Sequence, residues 1–255
     1  MSTNPLTPKP ENLPAELLDM MAADAGQGVS FAGADQLLSM LTIAQSNSPI
    51  VDKRDPAYVD NAEAGDFVLR SGGISTPRSG TSGIIVIPAG MTHSWVVWRP
   101  QRQGFVARYL QEPAGLVEKI EHDESGRSKP VLQLDDNVVQ QSRDIFLLIA
   151  DDQGGWAPFL MPCVSTLHTF ARGWNSYWRQ VQHPRTGGVM PCYGHQYRPT
   201  TYQRKNALGR WFTPRYEDLG LVTDMAAFNL ARDLYRIIDE QQNASGEAGT
   251  TRPAA

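Results

Sequence analysis

Short runs rich in β-branched and aromatic residues, separated by Gly, Pro and Ser, recur from about residue 66: 66–70, 83–88, 94–99 and 104–109. Their spacing predicts strands of an antiparallel sheet. Two further runs, 144–150 and 156–161, resume the pattern across an Asp-Asp-Gln-Gly-Gly turn signal. Between these groups, residues 111–143 are charged and polar and predict an exposed hairpin or insertion, while the Gly-rich stretch 71–83 predicts a mobile hairpin loop. Helical spacing appears in three places. Pro14 opens and Gly26 closes a short helix over 14–25. Leu167, Phe170, Trp174, Tyr177 and Trp178 recur at intervals of three and four within 164–182, and Ala227, Phe228, Ala231, Leu234, Tyr235 and Ile238 form one apolar stripe over 223–240, with Thr223 as its cap. The pattern as a whole predicts an α+β fold: a β-rich, OB-like barrel core flanked by N- and C-terminal helices.

The ends differ from this body. Residues 1–12 are polar and Pro-rich and 241–255 are small and polar, so both read as flexible tails around a single domain at 13–240. No stretch approaches the about 18 consecutive apolar residues of a spanning helix, and the first residues lack the basic start and apolar run of a signal peptide. Two cysteines, Cys163 and Cys192, are too few for a disulfide framework, although a single bridge between them stays open. A cytoplasmic protein without a membrane partner is expected.

Charge changes the picture more than composition does. The net charge is −4, yet no acidic residue lies between Asp152 and Glu217, where Arg172, Arg179, Arg185, Arg198, Arg204, Lys205, Arg210 and Arg215 give a net of +8. The rest of the chain therefore carries a net of −12. The same interval holds 12 of the 22 aromatic residues, interleaved with the cations: Tyr197-Arg198, Tyr202-Gln-Arg204-Lys205, Arg210-Trp211-Phe212 and Arg215-Tyr216. Cations that track phosphates beside aromatic faces that stack on bases are what a sequence-tolerant single-strand site requires, and an acidic remainder repels nucleic acid from the other faces. The candidate contacts are Arg172, Arg179, Arg198, Arg204, Lys205, Arg210 and Arg215 for phosphates, with Trp178, Tyr193, Tyr197, Tyr202 and Trp211 for bases. Phe170, Trp174 and Trp178 also fit a second role, since aromatics at helical spacing commonly fill a core.

Other chemistry has weaker support. Cys163 with His168 and Cys192 with His195 are the nearest approach to a zinc pattern, but the spacing is loose. Asp135-Asp136, Asp151-Asp152 and the acidic run at 121–124 sit in turn-like polar stretches and read as solvated turns rather than Mg²⁺ ligands. There is no P-loop, dinucleotide fingerprint or nucleophile elbow. A binding protein rather than an enzyme, without cofactor or metal, is the expectation.

Leu38-Ser-Met-Leu41 leading to Gln45 and Ser48-Pro49, then Ala64-Gly-Asp-Phe67, Ile85-Val-Ile-Pro88 with Trp95 and Trp98, Pro162, the Trp174–Trp178 helix, Pro191 to Tyr197 and Gly209-Arg-Trp211 together resemble single-stranded DNA-binding proteins of the replication module of tailed bacteriophages. The resemblance covers about residues 13–240. It implies an OB-like barrel that coats exposed template strand in the host cytoplasm, supports DNA replication and recombination, and has replication proteins as further partners. Such proteins often end in an acidic tail, and here the chain departs, because 246–255 carries one Glu and one Arg. The rival reading is a phage virion or assembly protein whose aromatic and basic segment is a protein interface, since Tyr, Trp and Arg also dominate interface hot spots.

Overall fold

The apolar runs at 144–150 and 156–161 lie within the strands Asn137–Ala150 and Trp156–Val164. A computed structural model describes residues 39–100, 104–122, 128–207 and 209–248, all within the compact unit Leu38–Ala255. The helix expected over 14–25 and the N-terminal tail lie outside the described residues. In chain order the strands are β1 (Met40–Ile43), β2 (Phe67–Ser71), β3 (Ile74–Arg78), β4 (Val86–Trp98), β5 (Phe105–Tyr109), β6 (Val117–His122), β7 (Ser128–Leu134), β8 (Asn137–Ala150), β9 (Trp156–Val164), β10 (His195–Asn206) and β11 (Gly209–Leu221). Among the described residues two α-helices accompany them, α1 (Leu167–Trp178) and α2 (Met225–Ala248).

The eleven strands of the described residues join one sheet of order β11-β10-β4-β8-β9-β1-β2-β3, with β5 attached to β4 and the β6–β7 hairpin attached to β8. The pairings are antiparallel except β1 with β9, which meet in parallel at Met40 and Leu160. The runs expected as two strands at 83–88 and 94–99 are one strand, β4, that pairs with β8 from Val86–Ile149 to Trp98–Val138. A register shift between Pro88 and Gly90 accommodates the proline, which has no N–H for the ladder. β8 begins at Asn137, inside the segment expected to be an insertion, and the exposed hairpin expected there is β6–β7. The Gly-rich loop expected at 71–83 is not a free loop. Gly72 and Gly73, both at positive φ, turn the chain between Ser71 and Ile74 and launch β3. Pro77 sits within that strand because β3 lies at the edge of the sheet.

Strand alternation sends neighbouring residues into different layers. Val86, Ile145, Leu147, Ile149, Phe159 and Met161 join Leu41, Ile43 and Phe67 in the main core, where they meet Phe170, Ala171, Trp174 and Trp178 of α1. Ile87 and Leu148 face the other way and pack on Ala227 and Ala231 of α2. The sheet thus curls as a half-barrel around α1, and α2 lies against its convex side. Asp224, rather than the expected Thr223, caps α2 by accepting from the Ala226 and Ala227 N–H groups at 2.8 and 3.2 Å. The helix continues to Ala248, past the boundary expected at 240. No described helix is long and apolar enough to cross a membrane.

The far half of the β10–β11 hairpin reaches the loop before β2 and the loop after β3. Thr201 N–H donates to Gly80 O at 2.7 Å, and its hydroxyl donates to Gly65 O at 2.5 Å. The Gln45 side-chain amide exchanges two hydrogen bonds with the Phe212 backbone, at 2.8 and 3.0 Å. These approaches need glycine: a Cβ on Gly80 would lie 2.0 Å from Gly65 O, and one on Gly65, at φ +100°, would lie 2.7 Å from the Phe212 ring.

Candidate functional site

Residues opposite each other across an antiparallel pair share a face of the sheet. In the β10–β11 hairpin, Arg198 faces Glu217, Thr200 faces Arg215, Tyr202 faces Thr213, and Arg204 faces Trp211. Five of the residues expected to bind nucleic acid, Arg198, Tyr202, Arg204, Trp211 and Arg215, are thereby aligned on one face. Tyr197 pairs with Val86 of β4 and lies with it in the main core, so this aligned face is the convex one. Arg204, Lys205, Arg210 and Arg215 are exposed, Tyr202 is 40% exposed, and Trp211 is half-buried.

Local interactions order the face without neutralising it. The Arg204 guanidinium lies 5.8 Å from the centre of the Trp211 ring, a cation–π contact that holds the indole in place. Arg215 Nε donates to Thr200 Oγ1 at 3.2 Å. Arg198 is paired with Glu217 at 3.1 Å. Among the described residues no carboxylate pairs with Arg204, Lys205, Arg210 or Arg215. Lys205 and Arg210 face each other on the opposite side of the hairpin near its tip, where like charges directly opposed are unfavourable unless an anion bridges them.

The remaining expected contacts are placed elsewhere. Tyr197 and Trp178 are 1% and 6% exposed, so the expectation that their rings stack on bases is corrected: both are core residues. Trp174 organises that core. It stacks on Tyr216 with centroids 5.4 Å apart and 14° between planes, and it meets Tyr197 edge-on at 5.4 Å and Trp178 at 5.2 Å. Tyr193 packs on Phe228 and Tyr235 at 5.4 and 5.6 Å, which commits its ring to α2. Arg172 and Arg179 are exposed, at α1 and its C-terminal cap, and α1 belongs to the concave side. The cationic residues of 153–216 are therefore divided between the two sides of the sheet rather than gathered on one.

Two polar clusters escaped the sequence reading. Asp218, one residue past the first acid after the acid-free interval, accepts from Tyr177 Oη at 2.7 Å, from the Gly220 N–H at 2.7 Å, and bonds His195 Nδ1 at 3.0 Å. Burial alone would raise its carboxyl, but the bonds from His195, Tyr177 and Gly220 outweigh that and hold it below the ordinary carboxylate value. The bond to Asp218, with burial, pushes the Tyr177 phenol up to about 12. Asp144, 1% exposed, accepts from Ser94 and Ser142 at 2.6 Å each and from Arg108 at 2.5 Å, a buried carboxylate with both oxygens satisfied. It ties β4, β5 and β8 together. Only side-chain reach across strands reveals either cluster, because Tyr177 and Asp218 are 41 residues apart and Ser94 and Asp144 are 50 apart.

The residues of the zinc pattern do not meet in a group able to hold a metal ion. Cys163 is enclosed in the main core, where burial raises its thiol above the ordinary range, and it donates to Met161 O. His168 Nε2 is bonded to Gln141 O at 3.0 Å, His195 belongs to Asp218, and burial pushes the Cys192 thiol up to about 12. Both cysteines are free, which answers the question of a bridge. Asp151 accepts from the Gln153 and Gly155 N–H groups within its turn, and Asp152 pairs with Arg78 at 2.8 Å.

Comparison with known proteins gives one family. The family described as Pam3 phage gp34-like protein matches residues 9–244, and the chain belongs to it. Neither the curated proteins nor the solved structures contain a match.

Proposed function

We propose that the protein, a member of this phage family, binds single-stranded DNA without strong sequence preference, through the convex face and tip of the β10–β11 hairpin. The observation that carries the reading is the register that aligns Arg198, Tyr202, Arg204, Trp211 and Arg215. Tyr202 and Trp211 supply stacking faces, Arg204, Arg215 and the Lys205–Arg210 pair supply phosphate contacts, and Arg198 contributes after exchange from Glu217. In this role the curled sheet serves as an OB-like platform, and the protein protects exposed strands during phage DNA replication and recombination.

The test is fluorescence anisotropy of a labelled poly-thymidine oligonucleotide, titrated at several salt concentrations with duplex of equal length as competitor. Tight, salt-sensitive binding that duplex does not displace is expected. In Arg204→Ala/Lys205→Ala the slope of log K against log salt falls by about 1.4, at about 0.7 per lost phosphate contact. No binding at low salt overturns the proposal.

The virion or assembly reading has one observation in its favour: Phe105, Val106, Tyr109, Leu110, Val117 and Ile120 are all exposed apolar residues in and around β5 and β6. Large defined oligomers indifferent to oligonucleotide would select it.

A further inference from the structure

β6 lies at an open edge of the sheet. It pairs with β7 and with no other strand among the described residues, and each of its residues is exposed. Such an edge offers a row of unpaired backbone groups to any passing strand. The direction of those groups follows from the register. Ile120 pairs with Pro130, and proline has no N–H, so this is a non-hydrogen-bonded pair. The N–H and C=O of Ile120 therefore point away from β7, and those of Glu118 and His122, two residues away on either side, do the same. Ile120 is also 66% exposed.

The side chains along this edge read Val117-Glu-Lys-Ile-Glu-His122. Laid antiparallel on a second copy of itself and centred on Ile120, the strand sets Ile120 against Ile120, Lys119 against Glu121, and Glu118 against His122. Other registers lose this match. Centring on Lys119 or on Glu121 sets that charge against itself, and centring between Lys119 and Ile120 sets Glu118 against Glu121. The charges that guard an edge against foreign strands here select one partner in one register.

We propose that β6 is a self-association edge, through which two copies of the chain join their sheets antiparallel about Ile120. At the centre each Ile120 N–H donates to the Ile120 carbonyl of the other copy, and the flanking Glu118 and His122 backbones continue the ladder. This inference does not depend on the nucleic-acid reading, since β6 and the β10–β11 hairpin are separate strands of the sheet.

The experiment is light scattering with size-exclusion chromatography, and sedimentation equilibrium, on the full chain over a range of concentrations. The wild type should show a monomer–dimer equilibrium. Lys119→Glu and Glu121→Lys, each alone, create two like-charged cross-strand pairs per dimer and should raise the dissociation midpoint on the order of 10-fold or more. An equimolar mixture of the two variants restores both attractive pairs and should dimerise as the wild type does. Val106→Lys on β5 should leave the equilibrium unchanged, and matched thermal unfolding of all variants controls for folding. A wild type that stays monomeric overturns the proposal. So do single variants that dimerise normally, a mixture no better than its components, or a dimer dissolved by Val106→Lys.

Discussion

Trp211 shows how much one side chain can carry on an open face. Its ring is half-buried against the hairpin and held by Arg204 at 5.8 Å, so the indole pays little ordering entropy when a base stacks on it. Trp211→Ala should weaken oligonucleotide binding by about 1–3 kcal/mol, read by anisotropy, with the unfolding midpoint nearly unchanged. The titrating residues act on stability instead. Burial and the nearby Arg143 lower the His93 and His168 imidazoles below their ordinary value of 6.5, an effect the Gln141 bond to His168 opposes. A lowered histidine favours the neutral form in the folded state, so its contribution is complete above about pH 6.5 and fades as pH falls through the lowered values. Asp218, lowered likewise, contributes fully above about pH 4 and loses its contribution below that. Urea unfolding as a function of pH should therefore show two acid losses. His93→Gln/His168→Gln should flatten the first and Asp218→Asn the second; a single unaltered loss in these variants would refute the assignment.

At the scale of elements, the hairpin depends on two glycines outside it. Gly80→Ala forces a Cβ against Gly65 O and Thr201 Oγ1, and overpacking of this kind costs about 1–3 kcal/mol. Because those contacts anchor the far half of β10–β11, the same variant should lose oligonucleotide affinity although it touches no proposed contact. Unfolding and anisotropy on one preparation check both parts. The elements themselves were legible where a single physical signal dominated. The stripe from Leu167 to Trp178 and the apolar runs at 144–150 and 156–161 announced a helix and parts of β8 and β9 directly, whereas the polar first half of β8 read as insertion. β3 was hidden because Gly72-Gly73 and Pro77 read as loop chemistry when the edge position that tolerates them is unknown. Tyr197 and Trp178 read as exposed platforms because composition reports where cations and aromatics concentrate and not which way a strand or helix turns them. The alignment of Arg204 with Trp211 needs the hairpin register, which runs from the Asn206–Gly209 pair and has no signature in the interleaved sequence.

Across the whole molecule, charge is spread unevenly along the chain. The +8 interval contrasts with a −12 remainder of the sequence, and under the proposed function the exposed Arg204, Lys205, Arg210 and Arg215 attract a polyanion to the hairpin at low salt, an attraction screened within about 10 Å at 0.1 M. The net of −4 hides this local excess of positive charge. Association rates with poly-thymidine measured by stopped flow should fall with added salt more steeply in the wild type than in Arg204→Ala/Lys205→Ala, whereas equal salt dependence would assign the steering to other residues.

The joint between Gln45 and Phe212 spans 167 positions of the chain, and that between Gly65 and Thr201 spans 136. Contacts so distant in sequence are slow to find, because the intervening loop must close before they reward it. On the ribosome the hairpin emerges more than a hundred residues after the loops that it must grip. A nascent chain can thus hold a partly formed sheet before its cationic hairpin has any anchorage, and the face proposed to bind is the last part of the joint to be assembled.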